Sequence, residues 1–450
     1  MRNDFKQWKQ YPKYKDSEIE WLGMIPESWE MKRLKWLFKI VNGSTPKSNV
    51  DKYWDGDIIW VTPDDLGNLI NHKLITTDRK ITEAGYLSCG TTLVSKGSLI
   101  LSTRAPIGHL AIAGVNLCTN QGCKSLVFKN NGNSLYFYYL LSIAKSELKS
   151  WGQGSTFQEL SKEDLSSINL LDISLTEQEK IAQFLDIETA KIDNLINKKQ
   201  HLIKLLQEKR TAIISHAVTK GLNPDVPMKD SKVEWLGMIP ESWNIFNLKR
   251  MAEINISNVD KKTELNQEQV LLCNYVDVYY NDYINNTLNF MEATATKEQQ
   301  KRFELKKGDV LLTKDSETWD DIAIPACVET DLDNVLCGYH LAHIRPHPHK
   351  LYSKYLFRAI SASGLKEQFW VAANGVTRFG LSKSSITNAL FPIPPLDEQQ
   401  KIAEYLDTET QQIDNLINKT RTSIEYLKEY RTALISAAVT GKIDVRDEVT

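Results

Sequence analysis

The chain is written twice, and that duplication constrains its fold more than any other feature. Residues 17–29, SEIEWLGMIPESW, return at 231–243 as SKVEWLGMIPESW, with 11 of 13 positions identical. A longer match pairs Glu177 to Thr219 with Glu398 to Thr440, keeping 27 of 43 positions at an offset of 221. Between these blocks the halves diverge. Only echoes survive, such as KGSLILST at 96–103 against KGDVLLTK at 307–314, and LSK at 160–162 and 381–383. A period near 220 residues far exceeds the roughly 20–50 residues of a solenoid repeat. A whole two-part unit has been duplicated in tandem.

The long shared blocks predict helices. Neither Thr176–Lys220 nor Leu396–Thr440 contains Gly or Pro. Thr176 with Glu179, and Asp397 with Gln400, read as capping signatures. Gly221 and Gly441 read as C-terminal stops. Apolar residues recur at sevens: Leu185, Ile192, Leu206 and Ile213 in the first, Leu406, Ile413, Leu427 and Leu434 in the second. Leu195, Leu202 and Leu416 fall between them, while Lys199 and Thr420 take a seam position. A lone amphipathic helix more often covers its own domain's core. A stripe repeated in the same phase predicts instead that the two helices pack on each other as an antiparallel pair. At about 1.5 Å per residue each would run roughly 65 Å.

The divergent stretches read as short β-branched runs broken by Gly, Pro and Asn, such as GDIIWVTPDDL at 56–66 and HLAIAGV at 109–115. Amphipathic helices are expected at 136–151 and 351–370. The class is α+β. The expected boundaries are 1–174, 175–220, 221–395 and 396–450.

Composition narrows the function. The chain is 42% hydrophobic and 25% charged over 450 residues, as in globular proteins. It has no apolar run long enough for a membrane span, and its first residues lack a secretory signal's apolar region. A cytoplasmic protein is expected, with its six cysteines reduced and buried. Searches for phosphate-binding loops, dinucleotide-binding glycines, zinc-protease and serine-hydrolase motifs and the adenine-methylation motif find none. No metal site is expected: His340, His343, His347 and His349 read as incidental residues of a surface loop.

The net charge of −2 announces no nucleic acid, yet charge is unevenly placed. Residues 30–130 carry 13 Lys/Arg against 8 Asp/Glu, a balance of +5, whereas 244–390 carry 17 against 18. The first divergent domain suits a phosphate backbone. Loops at strand ends offer groups for bases and phosphates. In the first half these are Thr62, Ser102, Thr103, Arg104, Gln121 and Lys124, with Gly154, Ser155 and Thr156 in a polar loop upstream of the helix. In the second half they are Lys314, Asp315 and Ser316, with Asn374, Thr377 and Arg378.

Taken together, the duplicated EWLGMIPESW, the STRAPIG strand end, the G-x-T…LS stretch and the EQ-x-K-I-A helix openings resemble the specificity subunit of type I restriction–modification systems. PIPPLDEQQKIA at 392–403 follows that pattern, whereas LLDISLTEQEKIA lacks its prolines and TKDSETWDDIAI at 313–324 departs from STRAPIG. The resemblance implies two pseudo-symmetric α/β target-recognition domains, each reading half of a bipartite asymmetric site in double-stranded DNA. The helices would fix the spacer between half-sites. They would also dock two modification (methyltransferase) subunits, which hold the S-adenosylmethionine, and the assembly would recruit restriction (motor-nuclease) subunits. On this reading the chain itself has no catalytic residue and no cofactor. A self-sufficient restriction enzyme or a coiled-coil scaffold without DNA would be the alternatives.

Overall fold

The computed structural model describes residues 8–69, 71–152 and 159–448. It divides into two compact units that cut across the expected boundaries. Unit 1 comprises Met1–Lys199 and Thr422–Thr450, and unit 2 comprises Gln200–Arg421. The two long helices, Leu175–Lys220 and Leu396–Val439, are therefore shared, each giving its first half to one unit and its second half to the other.

The two units have the same wiring. In unit 1 a five-stranded sheet runs in the order 38–42, 123–128, 99–102, 110–113, 73–74, antiparallel except for its last pair. Unit 2 repeats the order and directions with 252–256, 341–346, 310–313, 325–328 and 283–284. A three-stranded sheet flanks each, centred on 54–61 and on 268–273. The central strands, LILS at 99–102 and VLLT at 310–313, are buried along their whole length, as a strand covered on both faces must be. Their apolar runs were readable for that reason.

A two-stranded ribbon, 30–33 with 169–172 or 244–247 with 390–393, leads into each long helix. The helices begin with Leu175 and Leu396. Ser174, rather than Thr176, caps the first, its hydroxyl accepting from the Glu177 amide. They end where expected. Gly221 and Gly441 take left-handed φ of +78° and +72°, which favours glycine. A side chain at Gly441 would also strike Pro26 at 2.4 Å.

Within each unit the two helical halves run antiparallel. In unit 1, Glu177 lies beside Arg446 and Asp193 pairs with Arg431, so one number rises as the other falls. In unit 2, Glu398 lies beside Gly221 and Asp414 pairs with Arg210. Arg431 grips Asp193 through two nitrogens at 2.9 and 3.1 Å, and its 221-offset twin Arg210 reaches Asp414 at 3.1 Å. Partly exposed pairs add little stability, but a forked Arg–carboxylate contact fixes register.

The seam alternates steps of four and three: Leu185, Thr189, Ile192, Ile196 in the first helix and Leu406, Thr410, Ile413, Ile417 in the second, all buried. Leu206, Ile213 and Leu427 are half-buried on the same stripe, and Leu434 is buried. The expectation for Leu195, Leu202 and Leu416 is corrected. Leu195 is 43% exposed and Leu416 51%, whereas their neighbours Ile196 and Ile417 are 9% and 5%. One residue turns about 100° around a helix, and the four–three rhythm selects the isoleucine. The helix ends also cover the cores: Ile214, Ala217, Val218, Ile402 and Leu406 belong to the unit 2 cluster.

Residues 444–446 close unit 1. Beyond Gly441, the Asp444 amide donates to the Lys9 carbonyl, Arg446 bonds Asp444 and stacks on Tyr11, and Val445 is fully buried. Tyr14 donates to the Gly441 carbonyl, and Tyr11 and Trp29 donate to Glu177. In unit 2 Trp243 makes the corresponding bond to Glu398.

Candidate nucleic-acid interface

Antiparallel pairing of Cys123 with Ser102 brings the end of the 99–102 strand and the start of 123–128 to one edge of unit 1. The STRAPIG turn is closed from within. Ser102 donates from Oγ to the Pro106 carbonyl and accepts from the His109 amide. Gly108 bends back at φ +93°, where a side chain would meet Lys145 at 2.8 Å. Ser102 and Thr103 are therefore buried framework and present no hydroxyl to solvent.

Arg104, next along, is exposed, and its Nε donates to Glu159 at 3.0 Å. Behind it Lys124 is nearly buried, with Nζ on the Thr103 hydroxyl at 3.2 Å and 3.8 Å from Glu159. Burial pushes the Lys124 ammonium below its ordinary value, and Glu159 opposes that. Gln121 is exposed and bonded to Thr45. Thr62 caps the short helix Pro63–Gly67 and binds Asp65 at 2.6 Å. The Asn120 amide donates to Val61, which sets Thr62 beside the 120–122 turn. Thr62, Arg104, Gln121 and Lys124 thus share one edge. Gly154, Ser155 and Thr156 lie outside the described residues.

Unit 2 builds the same edge from other chemistry. Thr313 pairs with Leu341, so Lys314 and His340 meet at the strand ends. The Asp315 carboxylate receives Lys314 Nζ and His340 Nδ1, both at 2.8 Å. Burial works to raise Asp315, but those two bonds outweigh it and hold it below the usual carboxylate range. Asp315 and Ser316 pair with Gly380 and Phe379, and Asn374 exchanges backbone bonds with Gly380. This pins a loop whose Thr377 and Arg378 are exposed. A side chain at Gly375 would strike the Arg378 carbonyl at 1.9 Å. Aromatic rings surround the edge: Tyr275 stacks on Tyr279, Lys314 lies over Tyr339, and half-exposed Trp319 meets Trp370 edge-on.

Arg104 and Asp315 hold matching places. The Leu160 amide donates to Thr103, as the Leu381 amide does to Lys314, both at 2.8 Å. One unit therefore offers an arginine held by a glutamate and the other an aspartate held by a lysine and a histidine. Glu159, His340 and the aromatic ring set were missed by sequence reasoning. Glu159 had one signal: it directly precedes the LSK echo.

His347 and His349 lie in an exposed turn, as expected, but His343 does not. His343 is buried in the 341–346 strand and bonds Asp309 at 2.8 Å, while Arg345 grips the same carboxylate at 2.7 Å. Among the described residues no cluster of His, Cys, Asp and Glu suits a metal ion. Five of the six free cysteines are buried, and Cys89 is half-buried. Burial would raise Asp309, but Arg345 and His343 hold it below its ordinary 3.8. A depressed carboxylate contributes stability that is present above its unfolded value and lost as pH falls through the folded one. Asp309→Asn is thus expected to lower unit 2 stability by about 2 kcal/mol at pH 7. The gap from the unsubstituted chain should narrow below about pH 4 in denaturant titrations. A pH-independent gap would contradict the charge-based account.

Two stretches, 26–205 and 240–426, match the family model described as type I restriction modification DNA specificity domain. The chain is similar to the type I restriction enzyme MjaIX specificity subunit of Methanocaldococcus jannaschii, 29% identical over 96% of this chain and 97% of that protein. It is also similar to the MjaVIII specificity subunit of the same organism, 24% identical over 94% and 95%. The fold matches a chain from a study of complex assembly and conformational transition of the type I R-M system, with TM-score 0.71 at 14% identity over 92% and 98%. It matches the HsdS subunit from Thermoanaerobacter tengcongensis with TM-score 0.54 at 15% identity over 93% and 98%.

Proposed function

Because the chain belongs to the type I restriction–modification DNA specificity family, we propose that it selects the DNA site for a methyltransferase–nuclease complex and catalyses nothing itself. Each unit reads one half of a bipartite asymmetric site in double-stranded DNA. One observation carries this reading: the same wiring ends twice in the same edge, yet the edges carry opposite chemistry. Arg104 in unit 1 suits the acceptor edge of guanine or a phosphate, and Asp315 in unit 2 suits an exocyclic amino group. A single repeated frame with two unlike reading ends is what an asymmetric site requires.

The shared helices are the constant element against which partners are recruited. Leu195 and Leu416 stand exposed at matching positions, available to two copies of a modification subunit that brings S-adenosylmethionine and the methyl-transfer chemistry. Restriction subunits complete the assembly, and the complex works in the cytoplasm, where its DNA is. No helix among the described residues is long and apolar enough to cross a membrane.

The test is methylation mapping with the reconstituted modification complex, beside gel shifts at several salt concentrations. Arg104→Ala is expected to reduce affinity for the cognate site roughly 10-fold, about 1–2 kcal/mol for a lost base or phosphate contact. It should relax only the half-site read by unit 1. Sequence-independent or absent binding by the unsubstituted complex would reject the specificity role.

A further inference from the structure

Each unit carries a groove at the far end of its sheet from the reading edge. In unit 1 it is an opening of about 700 Å³ lined by Arg33, Lys35, Trp36, Phe128, Asn131 and Gln178, among others. In unit 2 one of about 630 Å³ is lined by Phe246, Arg250, Lys350, Ile393, Pro394 and Pro395. Both are built at the junction of the two-stranded ribbon with the start of a long helix.

A pair of glutamines shows that the places correspond. Gln178 accepts from the Asn133 amide and donates to the Ile173 carbonyl, both at 2.9 Å. Gln399, 221 residues on, accepts from the Tyr352 amide at 2.8 Å and donates to the Pro394 carbonyl at 2.9 Å.

The lining residues differ, but the charge does not. Groove 1 holds Lys32, Arg33 and Lys35 against Asp172, three minus one, or +2. Groove 2 holds Arg250 and Lys350 and no carboxylate, again +2. The only acid, Asp172, is already bonded to Lys32. Among the described residues Arg33, Lys35, Arg250 and Lys350 form no ion pair. Two local excesses of +2 stand out in a chain of net −2. Each groove also has an apolar part: Trp36 lies 62% exposed in the first, and Phe246 with Pro394 and Pro395 forms the second. Aromatic residues and arginine are enriched at protein interfaces, and the positive balance of each groove favours an acidic occupant.

Both grooves lie away from the edges assigned to DNA. The 123–128 strand starts at the reading edge with Cys123 and reaches the groove at Phe128, five steps of about 3.4 Å, or roughly 17 Å. In unit 2 the strand leaves its reading edge at Leu341 and ends at Pro346, four residues short of Lys350.

We propose that the grooves are twin docking sites for an acidic protein segment with an apolar anchor, one copy per unit, carried by the methyltransferase subunit. The proposal rests on the reading of the chain as a specificity subunit and gives that partner a place beside each helix start.

The experiment uses the full chain assembled with the methyltransferase subunit. Native mass spectrometry counts the copies and calorimetry measures affinity. Three variants are compared: Arg33→Glu with Lys35→Glu and Trp36→Ala; Arg250→Glu with Lys350→Glu; and all five together. A charge-neutral set, Arg33→Gln with Lys35→Gln, covers loss of folding by the first. Each groove variant is expected to weaken one copy at least about 10-fold and spare the other, with the combined variant weakening both. DNA affinity of the free chain should be unchanged. Two copies bound with normal affinity by the combined variant would overturn the proposal. So would a loss confined to DNA binding, which would assign the grooves to the phosphate backbone. Should the unsubstituted chain recruit no methyltransferase subunit at all, the underlying reading fails and the grooves with it.

Discussion

Ile192→Asp combined with Ile413→Asp is expected to unfold both units at temperatures where the unsubstituted chain is intact. The two isoleucines occupy the same seam position 221 residues apart and are 7% and 4% exposed. Each substitution removes a buried aliphatic side chain and sets a carboxylate where no cation was built to receive it. The combined transfer and desolvation terms are about 3–5 kcal/mol per unit, a large share of the roughly 5–15 kcal/mol that holds a domain together. Leu195→Asp with Leu416→Asp is the matched control. These residues lie three along the helix yet face solvent, so their replacement should move stability by about 0.5 kcal/mol or less. Urea titrations read by circular dichroism separate the two cases. Equal losses from both pairs would disprove the four–three seam.

Truncation after Thr440 is expected to destabilise unit 1 and leave unit 2 untouched. The removed residues supply buried Val445, the Asp444–Lys9 backbone bond and the Arg446 guanidinium on Tyr11. A buried valine contributes about 1.5–2 kcal/mol, and the backbone bond and ring contact about 1 kcal/mol each. The total, near 4 kcal/mol, corresponds to a drop of roughly 10 °C in one of two calorimetric transitions for units of this size. Arg446→Ala alone should move the same transition in the same direction by a fraction of that. A shift shared by both transitions, or by neither, would reject the assignment of the tail to unit 1.

Much of this architecture was legible because duplication shows what is constant. The matched phases of Leu185 with Leu406 and of Ile192 with Ile413 located one row of the seam, and Gly221 and Gly441 located both helix ends. The second row was not legible, because Leu195 and Ile196 are equally apolar neighbours and only the facing helix decides between them. The division into units was hidden for a related reason. The antiparallel pairing was expected, but no sequence pattern says where along the two helices one unit gives way to the other.

The matching edges of the two units were half visible. STRAPIG marked the strand end, but the burial of Ser102 and Thr103 follows from the closed turn that Gly108 permits. Arg104 finds Glu159 across 55 residues and Asp309 finds His343 across 34, separations over which charge patterning in sequence carries no signal. His343 was expected among incidental surface histidines. It lies instead in the 341–346 strand, which is buried from Leu341 through Ile344.

The split composition of unit 1 sets an order of events on the ribosome. Residues 200–421 form one uninterrupted stretch, so unit 2 has every segment it needs once Arg421 has emerged. Unit 1 is begun first but waits for residues 422–450, which are translated after the whole of unit 2. Until then the first half of the first long helix has no opposite strand of its pair, and Tyr11, Trp29 and Glu177 have no tail to close over them. Domains that fold during synthesis usually complete from the N-terminus onward. Here the earlier-made half is the one that finishes last, and its exposed seam is the surface on which a nascent chain of this kind is most open to misassociation with a neighbour.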